Sequence, residues 1–120
     1  MKNKHTKKFI EERKRLNEIV MKYASDRIKR FYSLDALVYN EGALPKKIKE
    51  ILGLATSLVM RCDECIMHHT VQCYEHGVST EEFEETLAIG LVVGGSITIP
   101  HIRTAFQAWD DLQGGQIPQG

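Results

Sequence analysis

Apolar residues return at intervals of three and four through almost the whole chain, as in Phe9, Leu16, Val20 and Tyr23, and again in Ile48, Ile51, Leu52, Ala55, Leu58 and Val59. That spacing gathers them on one face of an α-helix, while the strict alternation of a half-buried strand is scarce. The expected fold is therefore all-α. A chain of 120 residues with 42% hydrophobic content can fill one core and is short for two. One helical bundle of about six helices is expected, at roughly 5–24, 26–39, 45–60, 63–76, 80–93 and 98–112.

Local chemistry supports these boundaries. In "EGALP", Gly42 and Pro45 interrupt one helix and open the next, since proline is tolerated in a first turn. In "EHGVSTEE", Gly77 suits a left-handed terminator, Ser79 an N-cap, and Glu82 the third position of a capping box. In "GGSITIP", Gly94 and Gly95 break the helix, Ser96 is a candidate cap, and Pro100 fits the next first turn. Three parts are expected: an N-terminal helix over 1–24, packed on the core or in an oligomer interface; a helical domain over 25–112; and a flexible tail over 113–120.

Lys plus Arg and Asp plus Glu both total 16, so no net field draws the chain to nucleic acid or to an anionic membrane. The first twenty residues are dense in charge, and no stretch runs 18 apolar residues. A cytoplasmic chain with no nucleic-acid or membrane partner is expected. In a reducing compartment, cysteines spaced C-x-x-C serve catalysis or metal binding more often than structural bridging.

Residues 61–69, "RCDECIMHH", carry two of the three cysteines and two of the five histidines. Cys62, Cys65, His69 and Cys73 have zinc-like residue types, but on one helix, at about 1.5 Å per residue, Cys62 and Cys73 stand about 16 Å apart. Ligands of one zinc must lie within about 4 Å of each other. No metal site is expected. Redox chemistry suits the spacing, provided that Cys62 lies at the helix boundary, where two cysteines three apart can approach and peptide N–H groups favour a thiolate. Asp63 and Glu64 complement the helix dipole but oppose a thiolate by like charge.

A neighbouring base must then help, and His69 stands one turn after Cys65 on the same face. If helices 45–60 and 63–76 form an antiparallel hairpin turning near residue 61, Glu50 falls opposite residues near 70 and can orient the His69 imidazole. Nearness to His69 favours Cys65 as the attacking thiolate, and the helix terminus favours Cys62; the opposing acids tilt the choice to Cys65. His68 and His76 read as ordinary core or surface residues, and Cys73 as a small buried apolar one. His101 and Arg103 read as a surface or subunit contact rather than a substrate pocket.

The register E50-x11-C62-x2-C65-x3-H69, followed by "HGVSTEEFEETLAIGLVVGGS", resembles the alkyl hydroperoxidase D-like branch of the carboxymuconolactone decarboxylase family, from about Phe31 to Asp111. The resemblance implies an all-helical fold assembled as trimers or hexamers, and a thiol-dependent peroxidase or disulfide reductase activity on small hydroperoxides. It also implies Cys62 and Cys65 as the redox pair and Glu50 and His69 as the proton relay. The best-known peroxidase members carry a histidine directly before the second cysteine, where this chain has Glu64. No cofactor-binding loop is visible, so no cofactor is expected, and the reductant is expected to be an external dithiol, a lipoyl-bearing or thioredoxin-like protein. Two other readings stand beside this one: a lactone decarboxylase that uses Glu50 and His69 without thiols, and a non-enzymatic redox sensor.

Overall fold

In a computed structural model of the chain, residues 4–114 are described. The expected tail over 113–120 lies outside them from residue 115 onward. Six α-helices follow in order: α1 Lys4–Tyr23, α2 Asp26–Val38, α3 Lys46–Val59, α4 Asp63–Glu75, α5 Thr80–Gly94 and α6 Ile99–Leu112, with one 3-10 turn, Ser96–Thr98, before α6. No strand occurs among the described residues, and none of the helices is long and apolar enough to cross a membrane.

The turns form where the sequence punctuates. Gly77 closes α4 in the left-handed region at φ 81°, and the Val78 N–H returns to the Cys73 carbonyl at 3.0 Å. Ser79 and Glu82 then make a reciprocal capping box on α5, with bonds of 2.8 and 3.1 Å. Gly95 turns the chain at φ 83°, but Ser96 does not cap α6. That place falls to Thr98, whose hydroxyl donates to the Gly95 carbonyl at 2.8 Å. Pro45 sits one position before α3, as its N-cap.

α3 to α6 form the bundle, with α3 against both α4 and α5, and α4 against α6. Its centre is Leu54, Leu58, Ile66, Cys73, Val78, Phe83, Leu87, Ala105 and Trp109. Phe83 stacks on Trp109 with ring centroids 4.2 Å apart, and the indole N–H donates to Thr80 Oγ1 at 3.1 Å, so the tryptophan buries its body without stranding its donor. α3 and α5 approach closely at Gly90, where a Cβ would come within 2.6 Å of Leu58 Cδ2.

The two N-terminal helices behave differently. α1 lies along α6, where the buried Thr6 hydroxyl donates to Asp111 Oδ2 at 3.0 Å, yet of its expected stripe Leu16 is 46% and Tyr23 78% exposed. α2 buries no residue, and Ile28, Phe31, Leu34, Leu37 and Val38 all face outward. The described chain measures 52 × 32 × 28 Å with a radius of gyration of 15.1 Å, against about 14 Å for a compact domain of this length.

Candidate active site

The α3–α4 turn sets the site. α3 ends at Val59 with Met60 as its C-cap, and Arg61 adopts φ 58°, the one non-glycine residue in the left-handed region among those described. The Arg61 and Cys62 N–H groups fold back onto the Leu58 and Ser57 carbonyls at 2.9 and 3.1 Å, a helix end that glycine usually completes. This turn delivers Cys62 as the N-cap of α4, in extended geometry, with its sulfur accepting from the Cys65 N–H at 3.3 Å.

Cys62 and Cys65 are joined as a disulfide, with Cα atoms 5.3 Å apart. The boundary placement that a C-x-x-C bridge requires is therefore present. Cys65 is exposed and Cys62 half-buried. Cys73 is fully buried in the bundle, and burial pushes its thiol up to about 12. Among the described residues, no three His, Cys, Asp or Glu side chains are grouped to hold a metal ion.

Behind the disulfide, the hairpin brings Glu50 of α3 to His69 of α4, with Oε1 and Nδ1 2.8 Å apart; Glu50 is 2% exposed. Burial works to raise the Glu50 pKa, but hydrogen bonds and charge from His69 and Lys46 outweigh it and bring the carboxyl below its usual value. Lys46 Nζ reaches Glu50 Oε2 at 3.3 Å. An ionised Glu50 can only accept, so Nδ1 of His69 carries the proton and donates.

Two further residues complete the arrangement. The Tyr39 hydroxyl lies 3.4 Å from Nε2 of His69, and Lys46 Nζ also donates to the Tyr39 carbonyl at 3.4 Å. Gly53 makes room for them. A Cβ there would stand 2.7 Å from His69 Cε1 and 2.8 Å from the Tyr39 hydroxyl. Nothing in the spacing of the sequence marks Tyr39 or Lys46; Gly53, in mid-helix, is the one local sign of a close approach.

Cys62, Cys65 and His69 open onto one cleft of about 350 Å³, shared with Glu64, His68, Arg13 of α1 and Asp35 of α2. At Arg13 and His68 it meets a larger groove of about 620 Å³ between α1 and α4, whose walls include Phe9, Ile10, Met21 and Val71. Burial, aided by Arg13 and His69, lowers the His68 pKa to about 4, so this imidazole is neutral near pH 7. His101 is not a free surface residue. Its Nδ1 lies 2.7 Å from Asp63 Oδ1, tying the start of α6 to the first turn of α4, whereas Arg103 is exposed.

A helical hairpin with a C-x-x-C bridge at its turn and a buried Glu–His pair behind it defines a fold and a motif together. The chain belongs to the carboxymuconolactone decarboxylase family, whose profile matches residues 29–111, in keeping with the alkyl hydroperoxidase D-like branch that the motif resembles. Two crystal structures of one Thermotoga maritima protein are similar over most of their length. One is 49% identical with a TM-score of 0.88, over 91% of this chain and 96% of that one. The other, of a carboxymuconolactone decarboxylase family protein, is 48% identical with a TM-score of 0.85, over 89% and 91%. An uncharacterised Cupriavidus necator protein is 32% identical over 72 residues, which are 60% of this chain and 64% of that protein. The match thus spans less than two thirds of that relative. A Legionella pneumophila family member, 23% identical with a TM-score of 0.83 over 92% of this chain and 98% of its own, shares the fold.

Proposed function

We propose that this chain is a thiol-dependent peroxidase and disulfide oxidoreductase acting on organic hydroperoxides. The observation that carries the reading is the Cys62–Cys65 bridge, exposed at Cys65, sharing a cleft with His69, whose other nitrogen is held by buried Glu50. A base oriented by a third group beside a nucleophile is the general arrangement for activating a thiol. The similar Thermotoga maritima protein, for which an involvement in antioxidative response has been suggested, is in line with it.

In the reduced state Cys65 gives its proton to Nε2 of His69. The thiolate attacks the distal peroxide oxygen, the O–O bond breaks, and the leaving alkoxide takes the proton from His69 to become an alcohol. Cys65 is now a sulfenic acid. The Cys62 thiol displaces its hydroxyl as water and closes the disulfide. An external dithiol then supplies two electrons and two protons, returns both cysteines to thiols and leaves as its own disulfide. Cys65 is the attacking sulfur here because it is the exposed one. The groove between α1 and α4 offers an apolar wall for the alkyl part of the substrate.

The outward apolar faces of α2 and α1 support assembly as a homo-oligomer, a trimer or a hexamer, since a helix of 13 residues with no buried face is marginal in water alone. Hydroperoxide consumption with a supplied dithiol tests the function. Turnover should require both Cys62 and Cys65. If serine at both positions leaves turnover unchanged, or if the chain instead decarboxylates a lactone without its thiols, the reading is wrong.

A further inference from the structure

The relay of Glu50 and His69 leaves one histidine nitrogen for the cysteines, and a tyrosine already occupies it. Nδ1 of His69 is committed to Glu50 at 2.8 Å. In the disulfide form Nε2 faces the Tyr39 hydroxyl at 3.4 Å, with the two rings 5.2 Å apart. The contact is built into the fold rather than incidental. α3 carries glycine at position 53, where any Cβ would strike both the Tyr39 hydroxyl and the imidazole. Lys46 fixes the same tyrosine from its other end, through its carbonyl at 3.4 Å. Burial, with the charges of Glu50 and Asp35, raises the Tyr39 pKa, so the phenol keeps its proton and its O–H donates a hydrogen bond to Nε2.

We propose that Tyr39 is a positioning residue that holds Nε2 of His69 while Cys62 and Cys65 are joined and gives it up to a cysteine thiol when they are reduced, biasing the pair toward its disulfide form. The inference rests on the reading of Cys62 and Cys65 as a redox couple served by His69. A disulfide has no proton to offer Nε2, so in that state the tyrosine bond costs nothing in competition. Reduction by a dithiol delivers two electrons and two protons, one of which appears as Cys65 S–H. That thiol needs the nitrogen that the tyrosine holds. The tyrosine bond therefore stabilises the oxidised form selectively and opposes deprotonation of the thiol in the reduced form.

Tyr39→Phe keeps the ring and removes only the hydroxyl. Oxidised wild type and variant are equilibrated with graded ratios of reduced and oxidised dithiothreitol, and alkylation of the reduced proteins is followed against pH. The equilibrium should move toward the dithiol by about two- to tenfold, the range set by the net worth of one hydrogen bond, and alkylation should begin at lower pH. A purely structural tyrosine would move neither in that direction. An unchanged equilibrium, or a shift toward the disulfide, overturns the proposal. Should the variant fail to fold, the wild type decides by nitrogen and hydroxyl-proton NMR. The Tyr39 hydroxyl proton bonded to Nε2 should be present in the oxidised protein and lost on reduction, and its persistence through reduction is the contrary result. If wild type consumes no hydroperoxide while Tyr39→Phe still shifts the dithiothreitol equilibrium, the peroxidase reading falls and this inference stands. Peroxide turnover in wild type with no such shift in Tyr39→Phe gives the reverse.

Discussion

Glu50 Oε1 and His69 Nδ1 meet at 2.8 Å across the α3–α4 hairpin, nineteen positions apart in sequence and both buried. A carboxylate placed there fixes the imidazole tautomer and the orientation of the ring. Glu50→Gln keeps the shape and removes the charge, so hydroperoxide turnover at neutral pH should fall by about 10² to 10⁴, the usual worth of general-base assistance, and recover in part at higher pH. His69→Gln should behave alike, and the double variant should cost little more than either single change, because residues acting as one unit are not additive. Turnover from about pH 6 to 9 checks this; a near-wild-type profile in Glu50→Gln would remove Glu50 from the relay.

Gly53→Ala should damage the site more than the fold. The new methyl would lie within 2.8 Å of the His69 ring and the Tyr39 hydroxyl, and the ring is pinned by Glu50 and cannot swing aside freely. Overpacking of this kind costs about 1 to 3 kcal/mol, measurable by denaturant unfolding. The loss of turnover should exceed what the stability change alone explains, since the imidazole must leave its line with Glu50.

His68 makes stability depend on pH. Its pKa falls from 6.5 to about 4 on folding, with burial as the main cause. Between those values the unfolded chain binds a proton that the folded chain refuses, so stability is lost as pH drops from about 6.5 to about 4. Glu50, whose pKa is lowered, adds a loss in the same direction at the acid end. Denaturation midpoints measured across this window should show a shallower acid decline in His68→Gln than in wild type.

Assembly is open to a direct measurement. Light scattering at micromolar concentration should return a multiple of the 13.7 kDa chain mass. Replacing Phe31, Leu34 and Leu37, which are 68%, 54% and 64% exposed, with serine should reduce that mass without unfolding α3 to α6. A mass equal to one chain in wild type would contradict the oligomer.

Much of this architecture is readable without coordinates, because helix ends depend on local chemistry. Ser79, Glu82 and Gly77 act within a few residues of one another, and the structure has each in its expected role. The register of Glu50 on His69 was also accessible, since a short antiparallel hairpin turns counting from its bend into proximity. Tyr39 was not. It reaches His69 through the α2–α3 connection, thirty positions away, and no periodicity reports such a path. His101 and Asp63 are separated by 38 positions across two helices and escaped for the same reason. α2 shows a further limit: an apolar period is the same in sequence whether its own chain covers it or another does.

The third sulfur has a use of its own. Cys73 is shut inside the bundle, 0% exposed, with its thiol pushed up to about 12. A thiol reagent can reach it only when the core opens, whereas the Cys62–Cys65 pair answers to solvent. With that pair oxidised, the alkylation rate of Cys73 becomes an internal clock for global opening, readable on the untagged molecule and in crude mixtures. Under peroxide excess the same burial makes it a bystander: mass gained at Cys73 dates the moment when oxidation stopped being chemistry at the cleft and became unfolding.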